Sequence, residues 1–335
     1  MESETKQLHV FFLPLMAHGH KIPIIDIARL FASRGVKSTI ITTPLNTIHF
    51  SESIGRDRQS GLDIAIHKIP FPAVEAGLPE GCETFDFLTS QDMVFTFFQA
   101  LVMIKEPFEQ LMVEFHPDCI VADTFFTWTT DLAKEYRIPR LLFHGTNSFS
   151  ICLQENIKRY APQEKVTSDS EIFVIPGLPD AIEMTRSQIT TFEGIIKAPI
   201  SELLQKMQET EITSFGILVN SFYDWESAYT EYYTKEMGRR VWNIGPVSLY
   251  NRNIVNKAQR GKKPTIDEHR CLSWLDSKEP KSVLYVSFGS ISRVGTSQLL
   301  EIATGLEVSN VSFIWVVRLD HDQLLPEGFE ERIEG

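Results

Sequence analysis

The stretch Leu8–Phe31, LHVFFLPLMAHGHKIPIIDIARLF, decides the fold. Leu8 to Leu13 form an apolar run of strand length, while Pro23, Ile24, Ile25, Ile27, Ala28, Leu30 and Phe31 recur at the mixed three- and four-residue spacings of an amphipathic helix. Between them PLMAHGH, Pro14 to His20, places an imidazole where a strand gives way to a helix. In open α/β sheets the carboxyl ends of strands border the ligand crevice, so a side chain at this point faces a ligand. His20 is therefore a candidate general base, and a solvated loop histidine is the alternative reading.

The same alternation of apolar, β-branched runs with helical patterns continues outward. Leu8 to Pro14, Lys37 to Thr42, Leu62 to His67, Cys119 to Ala122 and Arg140 to Phe143 read as five strands, with helices over residues 22–34, 87–114, 127–136 and 147–160. This is the pattern of an α/β fold, a parallel sheet flanked by helices. Thr167 to Gln188, rich in Pro and polar residues, interrupts it and is expected to be a long excursion rather than a sheet element. After a helix near 199–210 come a strand at Phe215 to Val219, a helix at Asp224 to Lys235 and a strand at Val241 to Ile244. Pro246 to Pro264 is polar, basic and nearly aperiodic, as an exposed linker is.

A second unit follows, with a helix at Asp267 to Leu275, a strand at Ser282 to Ser287, a helix at Thr296 to Leu306 and a strand at Phe313 to Val317. The expected domains are residues 1–245 and 266–335, joined by a linker over 246–265. Two strands cannot enclose a core covered on both faces, so the chain is expected to stop inside its second domain.

Composition narrows the function. The 44 acidic and 32 basic side chains give a net charge of −12, and no Lys/Arg cluster is interleaved with aromatics, which argues against a nucleic-acid partner. The four cysteines, Cys82, Cys119, Cys152 and Cys271, have no CxxC spacing, which disfavours a zinc site and a disulfide framework and suits a reducing cytoplasm. The opening MESETKQ and the early Pro14 and His18 do not make a signal sequence or a membrane span, so the Asn310/Ser312 sequon reads as coincidence.

Chemistry concentrates at few positions. His18 and His20 invite a metal reading, but no third His or Cys stands at ligand spacing. A general base needs a partner that orients its ring and stabilises imidazolium. Asp123, closing the apolar run PDCIVAD, lies at the same carboxyl edge and could supply that carboxylate; it could equally cap the next helix. Phe125, Phe126, Trp128, Phe143 and Phe149 follow strands four and five, where most would be core and any that line the crevice would make it apolar. In SVLYVSFGSIS, Ser282 to Ser292, a strand delivers Gly289 and Ser290 to a sheet edge where backbone donors and hydroxyls suit phosphate oxygens, or where the chain simply turns. The chain contains neither GxGxxG, Walker A nor GxSxG, so dehydrogenase, kinase and α/β-hydrolase readings lose their usual support.

Taken together, HVFFLPLMAHGHKIPIIDIARLFASRGVKSTIITTP, PDCIVADTFF, SDSEIFVIPGLPDAIEMTRSQ, ILVNSFYDWE, VWNIGPVSLYNR and CLSWLDSKEPKSVLYVSFGS with FIWVVR resemble the plant UDP-sugar-dependent glycosyltransferases of family 1. The resemblance covers essentially the whole chain and is similar to the group acting on saponins, flavonoids and abscisate. It implies the GT-B fold of two Rossmann-like domains, the second incomplete here, and metal-independent sugar transfer with inversion. It implies no cofactor, a UDP-sugar as co-substrate and a small triterpenoid, flavonoid or hormone-like acceptor.

By the same resemblance His20 is the base, Asp123 its carboxylate, and Ser290 with Gly289 the donor-phosphate contact. Gly19, His18, Phe126 and Phe149 are expected at the acceptor, His18 standing where relatives often carry Gln. The family's signature box, opening WAPQ and containing HCGWNS, is absent from the sequence. Losing its contacts would cost well over ~4 kcal/mol of donor binding, so the chain by itself is expected not to turn over. A non-catalytic protein that binds an apolar small molecule is the competing expectation.

Overall fold

Period-two packing of the first strand organises the whole first half of the molecule. In the computed structural model, which describes residues 6–189, 198–252, 266–289, 294–317 and 325–333, the chain forms two compact units, residues 1–261 and 262–335. In the first, β1 (His9–Leu13), β2 (Lys37–Thr42), β3 (Ile64–Lys68), β4 (Cys119–Asp123) and β5 (Arg140–His144) precede a small hairpin, β6 (Ile172–Val174) with β7 (Glu183–Thr185). β8 (Gly216–Val219) and β9 (Val241–Asn243) complete a seven-stranded sheet of order β3-β2-β1-β4-β5-β8-β9, parallel at each pairing.

All five residues of β1 are buried. Phe11 and Leu13 face one side, packing with Phe97, Leu101, Phe108 and Leu132 from α5 (Gln91–Met103), α6 (Lys105–Phe115) and α7 (Thr129–Glu135). Val10 and Phe12 face the other, against Ile24, Ile27 and Ala28 of α1 (His18–Ala32) and Ile54 of α3 (Ser51–Gln59). The short helix α2 (Pro44–Thr47) follows β2 and touches β3, and α4 (Ala73–Ala76) follows β3 and packs on α5. Farther along, Leu142, Ile217 and Val219 pack with Tyr229 and Tyr233, where α8 (Ser148–Tyr160) meets α10 (Tyr223–Lys235); α9 (Ala198–Thr213) precedes β8. Phe11 and Phe12 are each fully buried, worth about 1.5–3 kcal/mol apiece. A sheet covered on both faces needs near-continuous apolar strands, which the sequence provides.

The strand order reverses between β1 and β4, which pair with Leu13 opposite Ala122. Their carboxyl ends are therefore level, and the chain leaves them in opposite directions. This is the switch point at which such sheets open a crevice.

The described elements differ from the expected ones in instructive ways. Helix α1 begins at His18, before Pro23, because Ala17 is extended and its carbonyl accepts hydrogen bonds from His20 N (3.1 Å) and Lys21 N (2.8 Å). His20 thus sits in the first helical turn and not on a loop. The helix expected over 87–114 is two helices broken at Ile104, since Pro107 has no N–H to bond the Met103 carbonyl four residues back. The excursion after Thr167 carries the β6–β7 hairpin, so part of it is sheet. Of the expected linker, residues 246–252 pack on the first unit: Val247 is buried against the α1 layer, and buried Asn251 donates from Nδ2 to Asp26 Oδ1 (2.9 Å).

The second unit, among the described residues, contains the parallel pair β10 (Val283–Ser287) and β11 (Ser312–Val316), with helices at Glu268–Asp276 and Thr296–Val308.

Candidate active site

Asp123 ends β4 and is completely buried. A lone carboxylate there would be costly, but both oxygens are used: Phe125 N donates to Oδ1 (3.3 Å), and Oδ2 lies 2.7 Å from His20 Nδ1. An ionised carboxylate only accepts, so Nδ1 carries the proton and Nε2 keeps its lone pair. The His20 side chain retains 22% exposure, which leaves it open to an incoming group. Burial lowers the imidazole's proton affinity, but the charge and hydrogen bond of Asp123 outweigh it, and its pKa lies above 6.5. A raised pKa makes His20 a stronger base, and the carboxylate stabilises the imidazolium formed when it takes a proton.

The capping alternative for Asp123 does not describe its environment. Helix α7 starts later, at Thr129, and no side chain caps it. The carboxylate closes a local turn with one oxygen and holds the imidazole with the other.

Two further groups frame the ring. The Phe125 edge meets it at 5.8 Å between centroids, and Phe125 stacks on Phe98 at 5.2 Å, with Phe85 beside Phe98 at 6.0 Å. Gly145, just past β5, comes so close that a Cβ built there would stand 2.9 Å from His20 Cε1. Sequence reasoning passed over both Phe98 and Gly145. A glycine directly after a strand at the ligand edge was the one available signal for the latter.

The remaining expected residues are placed as follows. His18 points away from His20, as residues two apart on a helix must, and its Nδ1 lies 3.1 Å from Asp86 Oδ2 with the His49 ring 5.6 Å away. Among the described residues no group of three or more His, Cys, Asp or Glu could hold a metal ion. Gly19 is exposed, with open space where a Cβ would stand. Phe126 is a correction: it is fully buried against Trp128 in the core and has no surface to offer an acceptor, whereas its neighbour Phe125 meets His20. Phe149 is half-buried, edge-on to Tyr229 at 4.9 Å. Gly289 has φ +81°, the left-handed region glycine favours, and Ser290 lies outside the described residues.

A parallel Rossmann-like sheet followed by a second α/β unit is the fold that the chain shares with GT-B glycosyltransferases. Solved structures bear this out. The Glycyrrhiza uralensis UGT73P12, complexed with glycyrrhetinic acid 3-O-monoglucuronide, matches with a TM-score of 0.89 at 40% identity, covering 97% of this chain and 66% of that one. Among curated proteins, scopoletin glucosyltransferase of Nicotiana tabacum is 52% identical over 329 residues, 97% of this chain and 69% of its own length. UDP-glucose flavonoid 3-O-glucosyltransferase 7 of Fragaria ananassa is 51% identical over 343 residues, again 69% of its length. No protein-family model matches the chain. The chain belongs to the plant UDP-glycosyltransferases, enzymes that use a UDP-sugar as co-substrate. Among the described residues no helix is long and apolar enough to cross a membrane.

Proposed function

We propose that this protein transfers a sugar, glucose in the first instance, from a UDP-sugar to a hydroxyl of a small apolar plant metabolite, with inversion at the anomeric carbon. His20 Nε2 removes the acceptor proton as the acceptor oxygen attacks the anomeric carbon and UDP leaves. Asp123 holds the tautomer and offsets the imidazolium charge. A positioned base of this kind contributes ~10²–10⁴ in rate. The single observation that carries the reading is the 2.7 Å contact between His20 Nδ1 and Asp123 Oδ2 at the carboxyl edge of β1 and β4.

The Phe125, Phe98 and Phe85 rings favour a planar acceptor, in keeping with relatives named for scopoletin and for a flavonoid. Gly289 and Ser290 take the donor's phosphates. The protein works in the cytoplasm, a placement supported by its four free cysteines.

The test, made in a chain that also carries the signature box, is product formation from UDP-glucose with scopoletin or a flavonol, read by mass spectrometry, with the anomeric configuration assigned by NMR. His20→Ala should lose ~100-fold or more of turnover while calorimetry finds acceptor binding little changed. Near-normal turnover in that variant would refute the base assignment. Acceptor binding by that box-carrying chain with neither donor binding nor turnover would instead support a binding protein.

A further inference from the structure

We propose that Gly145 and Glu226 are positioning residues for His20: the bare backbone at Gly145 forms the wall that keeps the imidazole on Asp123, and the Glu226 carboxylate pins the turn carrying that wall. The inference rests on the reading of His20 as the base, and adds residues outside the dyad.

The wall is steric. A Cβ at Gly145 would stand 2.9 Å from Cε1, 3.1 Å from Nδ1 and 3.3 Å from Nε2 of His20, all inside ordinary contact distance for carbon. Any side chain there must push the ring away. The Asp123 carboxylate cannot follow, being fully buried and tied by Phe125 N at 3.3 Å. On another side the ring meets the edge of Phe125. Only glycine at 145 permits the 2.7 Å contact to persist.

The wall stays in place because both ends of its turn are held. Upstream, His144 at the end of β5 pairs through Nε2 with Glu211 Oε2 at 2.9 Å, and Glu211 Oε1 accepts from Arg239 Nε at 3.0 Å. Downstream, Asn147 Oδ1 accepts from Ser150 N at 3.0 Å. The first amides of α8 are met from α10: Glu226 Oε1 accepts from Ser148 N (3.1 Å) and Oε2 from Phe149 N (3.0 Å). A carboxylate at a helix N-terminus satisfies otherwise orphaned donors and suits the helix dipole. Glu226 is only 5% exposed, and its own backbone leaves helical geometry (φ −138°, ψ 37°) inside α10. The mechanism otherwise gives this buried acid, 78 residues from Ser148 in sequence, nothing to do.

The test is the titration of the His20 ring, followed by ¹³C NMR of histidine-labelled protein, with circular dichroism and melting curves as the measure of folding. In Gly145→Ala the ring withdraws from Asp123, and its midpoint falls by about half a unit or more toward or below the ordinary histidine value. Glu226→Gln, which keeps one acceptor oxygen, shifts it less, and Glu226→Ala shifts it more. A purely structural role would lower melting temperatures and leave the His20 midpoint alone. A folded Gly145→Ala protein with an unmoved midpoint overturns the proposal. If that variant does not fold, an unmoved midpoint in folded Glu226→Gln overturns it equally. Because the readout needs no turnover, it is separate from the base assignment, which stands or falls on His20→Ala.

Discussion

Replacing Asp123 by Asn changes one charge and almost nothing else. The amide is isosteric, its oxygen can still accept from Phe125 N, and the site is fully buried, so no acceptor contact is lost. What disappears is the charge that stabilises imidazolium across 2.7 Å. A hydrogen bond to a charged group is worth ~1.5–3 kcal/mol, which corresponds to about 10- to 150-fold in kcat. A full Coulomb term between unit charges about 4 Å apart, at an effective dielectric of about 20, is ~4 kcal/mol and bounds the loss near ~10³-fold. An amide NH₂ turned toward Nδ1 would also favour the wrong tautomer, moving the loss toward the upper figure.

The assay is steady-state glucoside formation across pH, in a chain that also carries the signature box. The rate needs neutral His20, so it rises with pH through the folded imidazole's pKa, which Asp123 holds above 6.5. In Asp123→Asn this acid limb moves to lower pH while the plateau drops, and the acceptor KM stays within about threefold, as expected when only transition-state stabilisation is lost. The stability linkage has a matching sign. Because the folded pKa is raised, the pair's stabilisation is fully present below about pH 6.5 and is lost as pH rises through the folded value. A folded Asp123→Asn enzyme with kcat within twofold of wild type, or one impaired only in KM, would refute the reasoning.

Three further outcomes follow from the same geometry. Phe126→Ala should lower stability by about 3–5 kcal/mol in denaturant titrations, as for a fully buried aromatic, whereas Phe125→Ala should leave stability nearer wild type and raise KM for planar acceptors. Arg29→Ala strips buried Asp57 and Asp26 of the guanidinium that donates to Asp57 Oδ1 at 3.1 Å, and a loss of ~3–5 kcal/mol is expected in the same titrations; a loss under 1 kcal/mol would contradict the ion-pair account. Burial pushes the Cys119 and Cys152 thiols up to about 12, so iodoacetamide at pH 8 should label half-exposed Cys271 and spare both in the native protein, as mass spectrometry can check.

Much of the architecture was legible because a parallel sheet covered on both faces writes itself as apolar runs. The seven main strands lie where such runs occur, including the short Val241–Asn243. Elements without that signature were not legible. Helix α3, SESIGRDRQ, is mostly polar and lacks an apolar stripe long enough to register, and the three-residue strands of the hairpin are too short to show alternation. The start of α1 was misplaced because its apolar periodicity begins only after Pro23, while His18 to Lys21 join the helix through backbone bonds to Ala17.

The candidate site divides along the same line. The sequence by itself determined that His20 comes shortly after the first apolar run and that Asp123 closes the fourth, which puts both near the carboxyl edge of the sheet. Only the tertiary structure decided that these residues, 103 apart, meet at 2.7 Å, because that depends on β1 pairing with β4 and on the register of Leu13 with Ala122. It also decided that Phe125, not Phe126, meets the ring, and that a bare Gly145 faces it. Neighbouring phenylalanines have the same local chemistry, and which of them turns toward the crevice is set by packing partners distant in the chain.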